Sequence, residues 1–289
     1  EVRMAEGYLE GMREEAGLEG CRDLATPGID LPASALSNAQ PLDSRAHAQY
    51  RRLVGKLLWI SSDRPDCMFA IKECARHASA PTSADMQALH RILRYLAGTQ
   101  NAVLRMDASG ELELRLHTDA NWVSPRSTTG VVIALNGFPV LALTRTQTVT
   151  ALSSTEAELI AMSTGVQEAI FVRSVIEEVL HVRLTIRACT DNSALIQFMM
   201  RKGLGRLKHI SVRMCFLQHL VECYELEVAH VPGSQNVADL LTKHVTRKVL
   251  HMLREQLGIY VSDVSLAEIT NSITTMWPCL ESHSHSVAM

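Results

Sequence analysis

The hydrophobic period of the chain changes between residues 99 and 110, and this change constrains the fold more than any other feature. In residues 46–99, apolar side chains recur three and four positions apart, which predicts three helices. Beyond the change, Leu112, Leu114 and Leu116 alternate with charged residues, which predicts a half-buried strand that runs into Asp119. We therefore expect a small helical segment followed by a domain built on a sheet.

The remaining pattern extends this sheet and covers it with helices. Asn136-Gly137 is typical of a hairpin turn, and Ser153 with Glu156 forms a capping box that predicts the start of a long helix, with a break near Gly165. The predicted order is βββα(α)βααβα, an α/β class with a five-stranded mixed sheet. Beyond the first strand, strands are predicted at 130–135, 140–143, 184–190 and 226–231, and helices at 154–180, 194–200, 212–223 and from 236.

Composition excludes several classes of protein. Of the 289 residues, 47% are hydrophobic and only 4% aromatic, which indicates an aliphatic core. The seven cysteines include no C-x-x-C pair, so neither a zinc site nor a disulfide framework is indicated, and a reducing compartment is expected. The sequence suggests no apolar run of transmembrane length and no signal peptide. Because the chain begins with Glu1, we expect it to be cut from a longer protein.

Four acidic residues lie at the ends of predicted elements. Asp119 ends the first strand, Glu158 lies in the first turns of the long helix, Asp191 ends the fourth strand, and Asp239 begins the last helix. If they converge, their repulsion requires cations, and carboxylate oxygens suit Mg²⁺ first and Mn²⁺ second. Two such ions about 4 Å apart support in-line phosphoryl displacement. Each acid taken alone is equally well a surface residue or a helix cap.

The net charge of the whole chain is -3, so any positively charged surface for nucleic acid must come from a local cluster of basic residues. Residues 201–213 contain five basic residues without an intervening acid, namely Arg201, Lys202, Arg206, Lys208 and Arg213. This basic run is the best candidate for phosphate contacts. The alternative is that it forms a solvated loop. Asn192, Ser193 and Ser154 are small polar residues near the acids that are placed to reach sugar hydroxyls. Arg91 and Arg94 lie off the apolar stripe of their helix, which favours a solvated face.

Six strings of the sequence stand out by their order and content: T-D-A-N-W at 118–122, S-T-T-G at 127–130, L-S-S-T-E-A-E at 152–158, T-D-N-S-A at 190–194, K-H-I at 208–210 and A-D-L-L-T-K at 238–243. Together they closely resemble the ribonuclease H domain of copia-type retrotransposon polyproteins. Residues 50–58, 64–66 and 92–99 are similar to the end of the family's reverse transcriptase. The resemblance implies a remnant or linker at 1–45, a thumb- or connection-like helical segment at 46–104 and a ribonuclease H domain at 110–245. Residues 246–289 lie beyond it and are predicted to form a weakly patterned tail.

The resemblance also implies an activity, the cleavage of the RNA strand of an RNA–DNA hybrid during reverse transcription. The implied cofactor is a pair of Mg²⁺ ions, for which Mn²⁺ can substitute. Carried over residue by residue, the metal ligands are Asp119, Glu158, Asp191 and Asp239. The implied partners are the hybrid and the remainder of the polyprotein, and no membrane is implied. The implied localisation is the cytoplasm, within a virus-like particle, or the nucleus.

Three positions qualify this implication. Asn121 stands where the family usually has a second Asp, which we take as non-ligating. His230 is either a proton-transfer group or a partly exposed strand-end residue, and His209 either positions a helix start or contacts substrate. No adjacent Asp-Asp pair is present, so DNA synthesis is not expected. A non-catalytic hybrid-binding remnant and an integrase-like transposase are the competing interpretations.

Overall fold

The structure, a computed structural model, describes residues 2–4, 7–106, 111–123, 125–201 and 211–261. The helices are α1 (Tyr8–Glu15), α2 (Ala33–Ser37), α3 (Ser44–Ile60), α4 (Met68–Arg76), α5 (Ser83–Ala97), α6 (Ser154–Leu180), α7 (Ser193–Met200), α8 (Ser211–Glu222) and α9 (Arg247–Gln256), with 3₁₀ turns at Pro65–Cys67, Gly233–Gln235 and Val237–Leu241. The strands are β1 (Val2–Arg3), β2 (Ala102–Leu104), β3 (Leu114–Asn121), β4 (Thr128–Leu135), β5 (Phe138–Thr146), β6 (Ile186–Thr190), β7 (Leu226–His230) and β8 (Ile259–Val261).

Within the described residues, five strands form a central mixed sheet in the order β5-β4-β3-β6-β7. The strands β3, β4 and β5 pair antiparallel, whereas β6 pairs parallel to β3 and β7 pairs parallel to β6. The predicted fold class, an α/β fold with a five-stranded mixed sheet flanked by helices, is confirmed. Because β3 and β6 run in the same direction, Asp119 near the end of β3 and Asp191 just after β6 lie at one edge of the sheet.

The predicted hairpin turn between β4 and β5 is present. Asn136 and Gly137 have φ values of 49° and 78°, the left-handed conformation that a two-residue turn of this kind requires. Asn136 also accepts a hydrogen bond from the backbone N–H of Glu113 at 2.8 Å, which ties the turn to the residue just before β3.

Helix α6 is continuous, so the predicted break near Gly165 is wrong. Gly165 lies directly on the sheet: a Cβ there would be 2.9 Å from side-chain carbons of both Leu116 and Thr118. The glycine therefore allows close approach of helix and sheet instead of ending the helix. By length and composition α6 is also apolar enough to cross a membrane, contrary to the sequence expectation, but half of its most apolar window is buried inside this fold.

The central sheet has a buried core on each face. One core joins alternate residues of β3 and β4, such as Leu116 and Ile133, to α6, α7 and α8. The opposite core joins Val132 and Ala134 of β4 to the helical segment formed by α1, α3, α4 and α5. The helical segment and the sheet domain are therefore packed on a shared core. The helices themselves largely follow the predicted stripes, except that Leu58 is 48% exposed and Ile60 takes its place in the core.

The prediction of a weakly patterned tail from residue 246 is wrong for residues 247–261. Helix α9 buries Leu250 and Leu253 in the core of the helical segment. Strand β8 pairs antiparallel with β2, and β2 pairs with β1, which makes a second, three-stranded sheet whose middle strand lies between α5 and β3 in the chain. Residues 262–289 lie outside the described residues.

The solvated face predicted for Arg91 and Arg94 is also wrong. Arg91 donates a hydrogen bond to Thr26 Oγ1 at 2.8 Å, and Arg94 donates one to the carbonyl of Arg22 at 2.6 Å. Both side chains therefore hold residues 22–26 against α5, and they are used for packing rather than left in solvent.

Candidate metal centre

Three of the predicted acids meet at the edge of the central sheet. One carboxylate oxygen each of Asp119, Glu158 and Asp191 lies within 4.8 Å of the others. Asp119 and Glu158 are buried, and Asp191 is partly exposed. Parallel pairing of β3 with β6 sets the positions of the two aspartates, and α6 crosses β3 so that its second turn brings Glu158 to them.

The fourth acid, Asp239, lies beside this group and is linked to it through a lysine. Lys243 Nζ is 2.9 Å from Asp239 Oδ1 and 3.8 Å from Asp119 Oδ2. The short helix that carries Asp239 is held against β3 because Asn236 donates a hydrogen bond to the carbonyl of Thr118 at 3.0 Å. The hydroxyl of Thr242 donates to Asp119 Oδ2, which fixes the orientation of that carboxylate.

The crowding of these carboxylates changes their proton affinity. Burial, and then the negative charges of Asp119 and Asp191, raise the pKa of Glu158 to about 9. Burial and the charge of Asp119 raise the pKa of Asp239 to about 6, although Lys243 opposes the shift. Among the described residues, Oε2 of Glu158 is buried and has no hydrogen-bond partner. A carboxylate oxygen that is buried, unpaired and faced by two further carboxylates fits a divalent cation, which supplies the missing positive charge.

The start of α6 separates the roles of Glu156 and Glu158. Ser153 accepts a hydrogen bond from the backbone N–H of Glu156 at 3.2 Å, as the capping box predicts. The Glu156 carboxylate accepts from the N–H of Leu152 at 2.7 Å, where a complete capping box would use Ser153. Glu156 is therefore engaged in the helix cap, and Glu158 is the acid that faces the centre.

Four residues that support the centre were not singled out individually by the sequence analysis. Gln147 donates hydrogen bonds to Thr129 Oγ1 at 3.1 Å and to the carbonyl of Ala157 at 2.9 Å, which fastens the first turn of α6 to β4. The others are Asn236, Thr242 and Lys243. For Thr242 and Lys243 the available signal was their place in the A-D-L-L-T-K string, four residues or fewer after Asp239.

Comparison with known proteins finds homologues over most of the chain. No family model matches it. It is 28% identical over 259 residues to the retrovirus-related Pol polyprotein from transposon RE1 of Arabidopsis thaliana, covering 87% of this chain and 18% of that one. A second relative, the retrovirus-related Pol polyprotein from transposon TNT 1-94 of Nicotiana tabacum, is also 28% identical, over 88% of this chain and 20% of its own length. The chain thus has homologues, over most of its length, among the retrovirus-related Pol polyproteins of copia-type transposons.

The chain spans about a fifth of the length of those two relatives. A shorter relative, secreted RxLR effector protein 161 of Plasmopara viticola, is 38% identical over 42% of this chain and 89% of its own. Among solved structures, LC11-RNase H1 from compost is 16% identical at a TM-score of 0.38 over 45% of this chain and 92% of that one. The structure of LC11-RNase H1 in complex with RNA/DNA hybrid is 15% identical, with a TM-score of 0.37. The match covers 45% of this chain and 94% of that one.

The residues that were predicted to contact nucleic acid are only partly described. Arg213 is exposed on α8, and the guanidinium of Arg201 lies 4.6 Å from the centre of the Phe198 ring. Ser154 and Ser193 are exposed at the first positions of α6 and α7. The remaining basic and histidine positions, Lys202, Arg206, Lys208 and His209, lie outside the described residues.

Three further polar residues are accounted for by the geometry. Asn192 caps α7, because its side-chain oxygen accepts from the N–H of Leu195 at 3.0 Å. Asn121 donates to the carbonyl of Thr242 at 3.2 Å, so its amide holds the segment that carries Lys243. His230 is exposed at the end of β7, where it pairs with Thr190, the residue before Asp191.

Proposed function

We propose that this chain is the ribonuclease H of a copia-type Pol polyprotein and that it hydrolyses the RNA strand of RNA–DNA hybrids during reverse transcription. The observation that carries the proposal is the group of three carboxylates within 4.8 Å, which includes a buried and unpaired oxygen of Glu158. Homology to Pol polyproteins over most of the chain supports the same conclusion, since their replication produces such hybrids as intermediates.

The residues that would hold two Mg²⁺ ions, or Mn²⁺ in their place, are Asp119, Glu158, Asp191 and Asp239. Bound divalent ions supply a water of lowered pKa and stabilise the leaving oxygen of an in-line displacement. Asp119 is the shared group, because it belongs to the three-carboxylate group and also faces Asp239 across the Lys243 ammonium. The hydroxyl of Thr242 holds Asp119 in this orientation.

The substrate is expected to lie across the sheet edge that carries the acids. An A-form-like hybrid is recognised by its phosphates and 2′-hydroxyls in a wide minor groove. Arg201 and Arg213 begin and end the basic run, which we propose as the phosphate-contacting segment, with Asn192, Ser193 and Ser154 nearer to the acids. The rest of the polyprotein, about four fifths of the length of the relatives, would supply the polymerase.

The direct test is cleavage of an end-labelled RNA–DNA hybrid with Mg²⁺ or Mn²⁺, beside single-stranded RNA and double-stranded DNA of the same sequence. We expect the wild type to cut only the RNA of the hybrid. Loss of an outer-shell partner of a metal costs about 10- to 100-fold, so Asp119→Asn and Glu158→Gln, which remove ligands, should cost more.

Glu156→Gln is the matched control, because this residue lies two positions from Glu158 and serves the helix cap. Its cleavage rate should stay close to that of the wild type. Binding of the hybrid by the wild type without cleavage would instead support the alternative, a catalytically inactive remnant that acts as a nucleic-acid-binding module.

A further inference from the structure

We infer that the Lys243 ammonium acts as a built-in cation at the second metal position, and that a second divalent ion enters only by displacing it. The inference rests on the proposed function for its setting, because it concerns the same four carboxylates. It assigns a specific role to a residue that is not itself a metal ligand.

The contacts divide the four carboxylates into two unequal sets. The ammonium lies between Asp239, at 2.9 Å, and Asp119, at 3.8 Å, as a bridging cation would. The group formed by Asp119, Glu158 and Asp191 contains no basic side chain among its members, and Oε2 of Glu158 has no partner. One position is therefore neutralised by the protein itself, and the other depends on an external cation.

The exposure of the three side chains shows that the Lys243 ammonium, and not either aspartate, is able to leave the second metal position. The Lys243 side chain is 46% exposed, whereas the side chains of Asp119 and Asp239 are 7% and 11% exposed. The aspartates are fixed by their elements and, for Asp119, by the Thr242 hydroxyl. The backbone N–H of Lys243 is bonded to the carbonyl of Asp239 at 3.2 Å, so the ammonium can swing into solvent while the main chain stays in place.

This arrangement predicts two unequal binding steps. The first divalent ion enters the three-carboxylate group without displacing a side-chain cation. The second must overcome repulsion from the ammonium and break its ion pair with Asp239. At an effective dielectric constant of 20, two unit charges about 4 Å apart interact strongly enough to change an affinity by 10-fold or more.

The test is a Mn²⁺ titration of the full chain followed by calorimetry, with free Mn²⁺ counted by electron paramagnetic resonance. In the wild type we expect a tight first step and a weak second step. In Lys243→Gln the second step should tighten by about 10-fold or more, with the first step changed much less. Thermal unfolding in chelator should also show that Lys243→Gln is less stable than the wild type, because Asp119 and Asp239 then face each other without a cation.

Lys243→Arg keeps the positive charge and should retain the weak second step. Lys248→Gln removes an exposed lysine of α9 and should leave both steps unchanged. A second step that is unaltered or weaker in Lys243→Gln overturns the inference, as does a wild type that binds no Mn²⁺. Hybrid cleavage by the wild type beside an unaltered second step would refute only the role of Lys243. The predicted Mn²⁺ behaviour without any cleavage would refute only the nuclease proposal.

Discussion

Arg254 of α9 donates a hydrogen bond to the hydroxyl of Tyr95 in α5, 3.3 Å away and 159 positions earlier in the chain. The Tyr95 hydroxyl in turn donates to Asp66 Oδ2 at 2.6 Å, and Arg64 pairs with the same carboxylate at 2.8 Å. All four side chains are buried. The C-terminal helix is thus joined to the helical segment through a polar network inside the core.

Asp66 is the centre of that network, and its removal should be costly. Burial alone would raise the pKa of Asp66, but the Arg64 guanidinium, the Tyr95 hydroxyl and the Arg254 charge together outweigh burial and lower this pKa, so the carboxylate is charged. In Asp66→Ala the Arg64 charge stays buried without its partner, and we expect a loss of about 3–5 kcal/mol in the free energy of unfolding. Urea unfolding measures it. Asp30→Ala, at an exposed position, should change stability by less than about 0.5 kcal/mol. Equal effects of the two substitutions would contradict the network.

Two helical glycines should respond to alanine with opposite signs. In an open helix, Gly→Ala stabilises by about 1 kcal/mol, and Gly55 in α3 has open space within 4 Å of the position that a Cβ would take, so Gly55→Ala should stabilise. At Gly165 the added carbon would lie 2.9 Å from buried side chains of the sheet. Overpacking of this kind costs about 1–3 kcal/mol, so Gly165→Ala should destabilise. Chemical denaturation of both variants decides the point, and stabilisation by Gly165→Ala would show that the helix is not pressed against β3.

Thr242 should affect metal affinity although it is not a proposed ligand. Its hydroxyl orients Asp119, so Thr242→Val, which keeps the shape and loses the hydroxyl, should weaken Mn²⁺ binding by about 10- to 100-fold. Thr242→Ser keeps the donor and should bind nearly as the wild type does. Calorimetric titration of the two variants compares them directly. Similar affinities would mean that Asp119 needs no such support.

The central sheet could be predicted because its signals are local. Alternation in β3, the Asn136-Gly137 turn and the cap at Ser153 each depend on a few adjacent residues. Those signals also set the chain positions of Asp119, Glu158 and Asp191, and the parallel pairing of β3 with β6 brings the two aspartates to one edge.

The C-terminal part could not be predicted because its order depends on distant contacts. Strand β8 has three residues, too few for a period, and it pairs with β2 more than 150 positions earlier. The bond from Arg254 to Tyr95 has no local signal either. The position of Lys243 is similar in kind: the sequence places it four residues after Asp239, but its second contact, with Asp119, depends on the packing of the short helix against β3.

The stability of the metal-free protein should fall as pH rises, and Glu158 should account for most of the fall. Its folded-state pKa of about 9 exceeds its ordinary value of 4.5. Between these values the folded chain keeps a proton that the unfolded chain has lost, so the free energy of unfolding decreases with pH, by up to about 1.4 kcal/mol per pH unit. Glu158→Gln is neutral in both states and should flatten the profile, leaving a smaller slope from Asp239, whose pKa is raised to about 6.

Urea unfolding in chelator across this pH range measures both profiles, with Glu156→Gln as the control that should follow the wild type. Saturating Mg²⁺ should restore the wild type at high pH, since a cation that binds only the folded, ionised site adds its binding free energy to stability. The same addition should have much less effect on Glu158→Gln, which lacks the charge. Parallel pH profiles for the wild type and Glu158→Gln would mean that Glu158 ionises normally, and that the crowding of the three carboxylates is relieved in some other way.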